Sequence, residues 1–382
     1  MVDVRDRVAR FRDLIAGQAD LAFVHRGSDL DYLTGLHRDL PNYGRNIHPG
    51  DWLQGVWMSP EKGAILAVPR ITADITPEVQ ATVDETWVLA DWNGPEAMVE
   101  GIVASMNLPK EPRIAVSDDA EAQTLVRLQA LIPGARFVSA TRLLMQLRVI
   151  KTTDEIETLK VAGRMTEDAL AATIPKLKIG MTELDIVSEL DYQMRRQGSL
   201  GPSFATTLYV SGPEHPMIFR DRLKTWPRRL TPPVSVLLDF GAVHDGMCYD
   251  YGRTVCFGAP TDEQLRVHDM IMRAQAAGIA ALKPGAVTCE AVDRTSRDVI
   301  VKDGYGEKFR HRLGHAIGWD VHEPPFLSEG DATTVEDGMV FTVEPSVWQD
   351  GSFSARVEDC VVVRREGGEK LTDGYQDLIV IE

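Results

Sequence analysis

The chain has 382 residues, a formal net charge of −16 and ordinary apolar (44%) and charged (26%) fractions, which allows two or three domains, each with its own core. No run approaches the roughly 18 uninterrupted apolar residues of a membrane span, and the acidic balance argues against a nucleic-acid partner, which needs basic patches. Four cysteines without CxxC pairing, Cys248, Cys256, Cys289 and Cys360, read as free thiols of a reducing compartment; the leading residues have no signal-peptide h-region, so a cytoplasmic enzyme or binding protein is expected.

The first stretch, MVDVRDRVARFRDLIAG, is expected to form an amphipathic helix with Val4, Val8, Phe11 and Leu14/Ile15 on one side. Short apolar runs at 21–24, 55–58, 64–68, 114–116 and 136–139 then alternate with helical segments at 95–106 and 120–131, an α/β pattern. Between the first two strands lies the polar loop HRDLPNYGRNIHPGDW, too long for a simple turn. Its Tyr43 and Arg45 are candidate ligand contacts, although a solvated loop has the same composition.

A boundary falls near Leu147–Lys151, dividing the chain into residues 1–147 and 148–382. Thr152 and Glu155 then form a capping box that starts a long helix, and the texture changes to an α+β pattern of longer helices and antiparallel strands. LKIGMTELDI from Leu177 is echoed by LKPGAVTCEAV from Leu282. In each, a helix ends at a glycine and a threonine caps the next. The echo predicts duplicated α/β units, roughly 150–260 and 260–380, feeding one shared sheet.

Residues 234–254, VSVLLDFGAVHDGMCYDYGRT, carry an Asp-Gly hairpin signal between apolar, β-branched runs. A turn centred near His244–Asp245 sets Asp239 opposite Asp250, with Cβ atoms roughly 4.5–5.5 Å apart. Two carboxylates so placed in an apolar setting need a neutralising cation; an exposed edge hairpin with solvated acids would read the same way. Downstream, HRLGHAIGWDVHEPP brings His311, His315 and His322 within twelve positions. Arg312 stands where a helical HExxH motif needs its acid, and Gly314 and Gly318 disfavour a helix, so a loop or irregular strand is expected. Finally, Glu344 and Glu358 each interrupt an apolar strand, with Asp350–Gly351 midway, so a second hairpin would set these two acids opposite each other. Four carboxylates in one apolar cleft require cations. Oxygen-rich ligation with one imidazole suits Mn²⁺, Co²⁺, Fe²⁺ or Zn²⁺, and two such ions about 3.5–4 Å apart can share a bridging hydroxide.

The order Asp239, Asp250, His315, Glu344, Glu358, in the settings DFG, DYGRT, HRLGH, TVEPS and ARVED, resembles the ligand set of the pita-bread metallopeptidases, the superfamily of prolidase, aminopeptidase P and methionine aminopeptidase. The resemblance covers residues ~150–380 and implies a pita-bread catalytic domain of duplicated α/β units, preceded by a creatinase-type α/β N-terminal domain. The settings of His311 and Arg356 are similar to the prolidase and aminopeptidase P branch. The resemblance implies two divalent ions, Mn²⁺ foremost, and an Xaa-Pro dipeptidase or aminopeptidase with a metal-bridged hydroxide as nucleophile. It would have Asp239 and Glu358 span both ions, Asp250 and His315 hold opposite ions, and Glu344 orient or deprotonate the water. His322 would meet the substrate, and Arg356 would brace the ligands from outside. His311 belongs to the same catalytic and substrate-binding group.

One run departs from the family. Where members carry a histidine after a Ser-Gly strand end, this chain reads Ser211-Gly-Pro-Glu-His215-Pro-Met-Ile-Phe219. Ungapped alignment puts Phe219 at that position; a three-residue deletion puts His215 there. The superfamily also contains creatinase, ectoine hydrolase and a dimethylsulfoniopropionate lyase, so a hydrolase or lyase of a small non-peptide carboxylate is the alternative activity. Tyr43-Gly-Arg45 resembles an element that creatinase offers from a neighbouring subunit, which implies a homodimer. A small molecule or short peptide is the expected substrate.

Overall fold

A computed structural model describes residues 4–38, 49–92, 94–219 and 221–382. Tyr43 and Arg45 lie outside the described residues. The chain divides into two compact units, Met1–Arg148 and Val149–Glu382.

The first unit is a six-stranded mixed sheet. Its strands are β1 (Leu21–His25), β2 (Gly55–Ser59), β3 (Gly63–Pro69), β4 (Glu85–Leu89), β5 (Arg113–Val116) and β6 (Arg136–Ser139), in the order β4-β3-β2-β1-β5-β6. β1, β2 and β3 pair antiparallel and the other neighbours pair parallel. The amphipathic helices Pro95–Ser105 and Ala122–Leu131 bury Val99, Ile102 and Leu128 against Phe23, Trp57 and Ile114 of the sheet. Trp57 stacks on Phe23 at 4.1 Å and donates its indole N–H to Leu53 O at 3.1 Å, so its polar edge is satisfied inside the core. The opening helix runs Val4–Ile15 and buries Val8, Phe11 and Ile15, the apolar stripe its spacing predicts.

The second unit repeats a helix pair followed by strands. Helix Thr153–Thr173 starts at the expected capping box, with Glu155 N donating to Thr152 Oγ1 at 3.3 Å and Thr152 N to Glu155 Oε2 at 2.9 Å. Thr182 caps helix Glu183–Arg196, and Thr288, the echoing threonine, caps helix Cys289–Lys302. The first half gives β7 (Thr207–Ser211), β8 (Val234–Phe240), the short β9 (Val243–His244) and β10 (Met247–Cys248), and β11 (Tyr251–Phe257). From the second half come β12 (Gly314–Ala316), β13 (Glu323–Leu327), β14 (Val340–Val343), β15 (Ser346–Gln349), β16 (Phe353–Arg356), β17 (Asp359–Arg364), β18 (Gly367–Lys370) and β19 (Ile379–Ile381).

The halves do not feed a single sheet, as the echo led us to expect. β19-β11-β8-β7 forms one sheet and β13-β12-β14-β17-β18 another. They meet at one bridge, where Glu358 N donates to Gly252 O at 2.9 Å and Gly252 N to Glu358 O at 3.3 Å. Each half buries its own face under its own helix pair, and β19 crosses back to pair with β11. The seam between the sheets is where the acids of both hairpins come together.

Candidate metal centre and cleft

The turn of the first hairpin is Asp245–Gly246, whose φ values of 44° and 76° are the positive pair of a type I′ turn. His244 consequently pairs with Met247, Phe240 with Tyr251, and Asp239 with Gly252. This corrects the register expected from a turn one half-step earlier: Asp239 faces a glycine, and Asp250 lies diagonal to it. Because side chains alternate with period two, a slip of two residues leaves both acids on one face. The absence of a side chain at Gly252 leaves room there for a third carboxylate, Glu358, whose Oε2 lies 2.6 Å from where a Cβ would stand.

In the second hairpin, Val343 pairs with Asp359 and Ser346 with Arg356, one register on either side of a short interruption. Glu344 and Glu358 occupy facing positions in that interruption, as the midpoint at Gly351 predicts. The histidine segment is the irregular strand expected: β12 carries a bulge between His315 and Ala316, which re-aims the side chain. His315 Nδ1 lies 3.1 Å from Ala316 O, so this nitrogen holds the proton and Nε2 faces the acids. Nε2 stands 3.6 Å from Asp250 Oδ2 and 3.5 Å from Glu344 Oε1. Asp250 and His315, which the resemblance assigns to opposite ions, are therefore close neighbours.

Asp250, His315 and Glu358 each present one ligand atom, all within 4.8 Å of one another and all buried. Asp250 Oδ1 is buried without a hydrogen-bond partner. Burial, before any neighbouring charge, raises Asp239 to about 6 and Asp250 to about 7. Glu344 and Glu358 are also pushed up, burial again coming first. An acid cluster of this kind, with one imidazole and an unsatisfied carboxylate oxygen, fits a divalent cation far better than a core of neutral acids.

Arg356 sits closer to this centre than its expected outside role. Its Nη1 donates to Asp239 Oδ2 at 2.8 Å and approaches Glu358 Oε2 at 3.4 Å, while Nη2 lies 3.4 Å from Glu344 Oε2. Burial opposes its charge, but Glu344, Asp239 and Glu358 outweigh that and hold the guanidinium above its ordinary pKa. His311 hands its Nδ1–H to Arg312 O at 2.6 Å, leaving Nε2 to meet Ser346 Oγ and Arg356 Nη2. Burial and then Arg356 depress His311 to about 3. His322 packs against His315 with ring centroids 4.1 Å apart; burial and then His315 lower it to about 4. All three imidazoles are therefore neutral near pH 7.

These residues line a cleft of about 780 Å³. Of the two candidates for the upstream histidine position, Phe219 lines the cleft, 61% exposed and stacked on Tyr209 at 6.1 Å. His215 does not reach the cleft, contrary to its expected catalytic place. It is 4% exposed, closes a tight turn with Gly212, and directs Nε2 to Arg229 O at 3.0 Å. Sequence reasoning also missed Tyr209, Arg222 and Arg312 as cleft residues. Arg312 had a visible signal: a long cation inside the HRLGH run.

Fold and site together define a metallopeptidase on the pita-bread scaffold. The model of metallopeptidase family M24 matches residues 157–365, and that of the creatinase/prolidase N-terminal domain matches residues 7–150. The chain is 30% identical over 363 residues to a putative dipeptidase, YkvY, of Bacillus subtilis, covering 94% of this chain and 95% of that one. It is 36% identical over 266 residues to the Xaa-Pro dipeptidase of Lactobacillus helveticus, covering 69% and 71% of the two chains. A prolidase from Thermococcus sibiricus superposes over 100% of both chains with a TM-score of 0.87 at 26% identity. A dipeptidase from Pyrococcus horikoshii superposes over 98% of this chain and 100% of its own, with a TM-score of 0.85 at 26% identity. The chain belongs to metallopeptidase family M24, with the creatinase/prolidase N-terminal domain ahead of the catalytic one. Among the described residues, no helix is long and apolar enough to cross a membrane.

Proposed function

We propose that this enzyme hydrolyses Xaa-Pro bonds in short peptides, with the chemistry housed in residues 148–382 and the metal held by Asp239, Asp250, His315, Glu344 and Glu358. The observation that carries this reading is the buried Asp250–His315–Glu358 cluster with its unpartnered Asp250 Oδ1, set in the wall of a peptide-sized cleft. The names of relatives, Xaa-Pro dipeptidase among them, supply the substrate class. A pair of divalent cations, Mn²⁺ foremost for so oxygen-rich a set, supplies Lewis acidity and lowers the pKa of water. Glu344 has a raised pKa and is placed to take a proton. His322 lines the cleft as a neutral imidazole available to a substrate oxygen, and Arg356 fixes three of the carboxylates in place. The four cysteines are all buried and free, which supports a reducing compartment. A homodimer, with Tyr43 and Arg45 beside the partner's cleft, remains part of the reading through family resemblance.

The test is turnover of Xaa-Pro dipeptides and Xaa-Pro-Yaa tripeptides by metal-loaded protein. No turnover at full metal occupancy would refute the peptidase reading. Glu358→Gln should abolish activity and reduce the metal bound per chain; full activity in that variant rejects the ligand assignment. A second reading, a hydrolase or lyase of a small non-peptide carboxylate, draws on Phe219, which puts a phenyl ring in the cleft at the family's histidine position.

A further inference from the structure

Three arginines line the cleft: Arg222, Arg312 and Arg356. Arg356 is committed to Asp239, Glu344 and Glu358. Arg222 directs Nη2 toward Thr207 Oγ1 at 3.4 Å and Ala205 O at 3.5 Å, and its guanidinium lies over Trp226 at 5.4 Å. Arg312 is different. Its guanidinium has neither a hydrogen bond nor an ion pair among the described residues, and its Nε is buried without a partner. What holds it is the ring of Phe326, 4.9 Å away.

That ring fixes where the charge sits. Phe326 is the cross-strand partner of His315 in the β12–β13 ladder, so Arg312 stacks beside the metal centre. Its field reaches the site: behind burial and the neighbouring His315, the Arg312 charge helps hold His322 down. An arginine stacked on an aromatic face keeps its planar fork fixed while its N–H edge stays available, the geometry that pairs bidentately with a carboxylate. In an Xaa-Pro dipeptide the free α-carboxylate lies one residue beyond the scissile carbonyl, a span of at most about 3.6 Å. A substrate carbonyl at the metal centre therefore carries its carboxylate to the neighbourhood of Arg312. An extended peptide or a C-terminal amide brings no charge to that point.

We propose that Arg312 anchors the free α-carboxylate of the residue after the scissile bond, which makes the enzyme a dipeptidase rather than an aminopeptidase acting on longer chains. This rests on the Xaa-Pro reading above for its substrate but not for its test. The experiment compares an Xaa-Pro dipeptide, its C-terminal amide and an Xaa-Pro-Yaa tripeptide on the wild-type, Arg312→Met and Arg312→Lys proteins. In the wild type the free acid is preferred. Arg312→Met should raise KM for the acid roughly 30-fold, as expected on removing one partner of a desolvated charge pair, and should collapse the acid-over-amide preference. The loss should fall on KM rather than kcat, the mark of a binding contact. Arg312→Lys keeps the charge without the fork and should recover part of the preference.

An unchanged acid-over-amide ratio in Arg312→Met, or no preference in the wild type, would overturn the anchor. If no Xaa-Pro substrate is turned over, the proposed function fails by itself, and the anchor is decided by calorimetry of L-proline and L-prolinamide binding. Proline binding that is tighter than prolinamide binding and lost in Arg312→Met supports it. Equal binding to both proteins, or no proline binding to the wild type, rejects it.

Discussion

Gly252→Ala adds one methyl group at the seam between the two sheets, and its consequences can be worked from contacts. Gly252 is not among the glycines with positive φ, so the effect is steric rather than conformational. The added Cβ would stand 2.6 Å from Glu358 Oε2 and 3.0 Å from both Glu358 Cβ and Arg356 Cδ. The backbone cannot retreat easily. It is held by the two bridge hydrogen bonds to Glu358, and by Arg253 Nη1, which donates to Gly252 O at 2.8 Å and Glu358 O at 2.7 Å. What can give way is the Glu358 carboxylate. Overpacking of this kind costs about 1–3 kcal/mol, and in a unit of this size each kcal/mol lowers Tm by about 2–4 °C, so a fall of roughly 2–12 °C is expected. Metal affinity should drop at least ~10-fold, the scale of effect when the supports of a ligand are disturbed. Chelator competition and scanning calorimetry read the two effects separately. A variant that binds metal as tightly as wild type, with Tm unchanged, would show that Glu358 does not fill the space Gly252 leaves.

Two further outcomes are expected from the buried charges. Asp239 and Asp250, raised by burial to about 6 and about 7, hold protons in the folded metal-free protein that the unfolded chain releases near pH 4. The folded state then binds more protons across this window, so stability of the chelated protein should fall as pH rises from about 4 to about 7. Metal binding needs these acids deprotonated, so the gain in Tm on adding Mn²⁺ should grow over the same range; thermal unfolding with chelator or with excess Mn²⁺ gives both curves, and chelated protein that grows more stable toward pH 7 contradicts the burial account. The second concerns Asp359, fully buried and paired with Arg253 Nη2 at 2.6 Å, Lys370 Nζ at 2.7 Å and Gln275 Nε2 at 3.0 Å. Arg253→Met leaves that carboxylate short of a partner and should cost about 3–5 kcal/mol in urea unfolding, whereas a loss below about 0.5 kcal/mol would mean that Lys370 and Gln275 suffice.

The legible parts of the sequence were those with local causes. Thr152, Thr182 and Thr288 announce their helices because a cap is a three-residue event. The second hairpin was placed correctly because Gly351 sits midway between Glu344 and Glu358. The first was misregistered because the turn turns on φ at Asp245 and Gly246, which the residue names alone do not settle to within one position. Strand β4 escaped notice as an edge strand only half covered, with Glu85 and Val88 exposed. His215 looked catalytic by composition; only the tight Gly212–His215 turn and the Arg229 carbonyl reveal that its ring is spent on structure. Arg312 could be noticed but not interpreted, because its lack of a partner is a fact about distant segments.

The substitution of phenyl for imidazole at the cleft wall narrows how protons can be handled there. Phe219 offers an apolar face, extended by Tyr209 and, edge-on to Tyr209 at 4.7 Å, by Trp348. His311 has given its proton to Arg312 O and presents Nε2 as an acceptor to Ser346 and Arg356. His315 has given its own to Ala316 O and turns Nε2 to the acids. His322 alone among these three makes no hydrogen bond among the described residues, and at about 4 its pKa is too low for it to carry a second proton near pH 7. A neutral imidazole in that position suits hydrogen bonding to a polarised oxygen better than delivering a full proton, since efficient transfer wants a pKa near the working pH. The groups whose pKa values have moved toward that range are the carboxylates, driven there by the burial that also makes them suitable for a cation. Proton transfer in this cleft is thus expected to be carboxylate chemistry, with the histidines reduced to orientation, and the preference for an apolar ring beside the scissile bond follows from the same substitution.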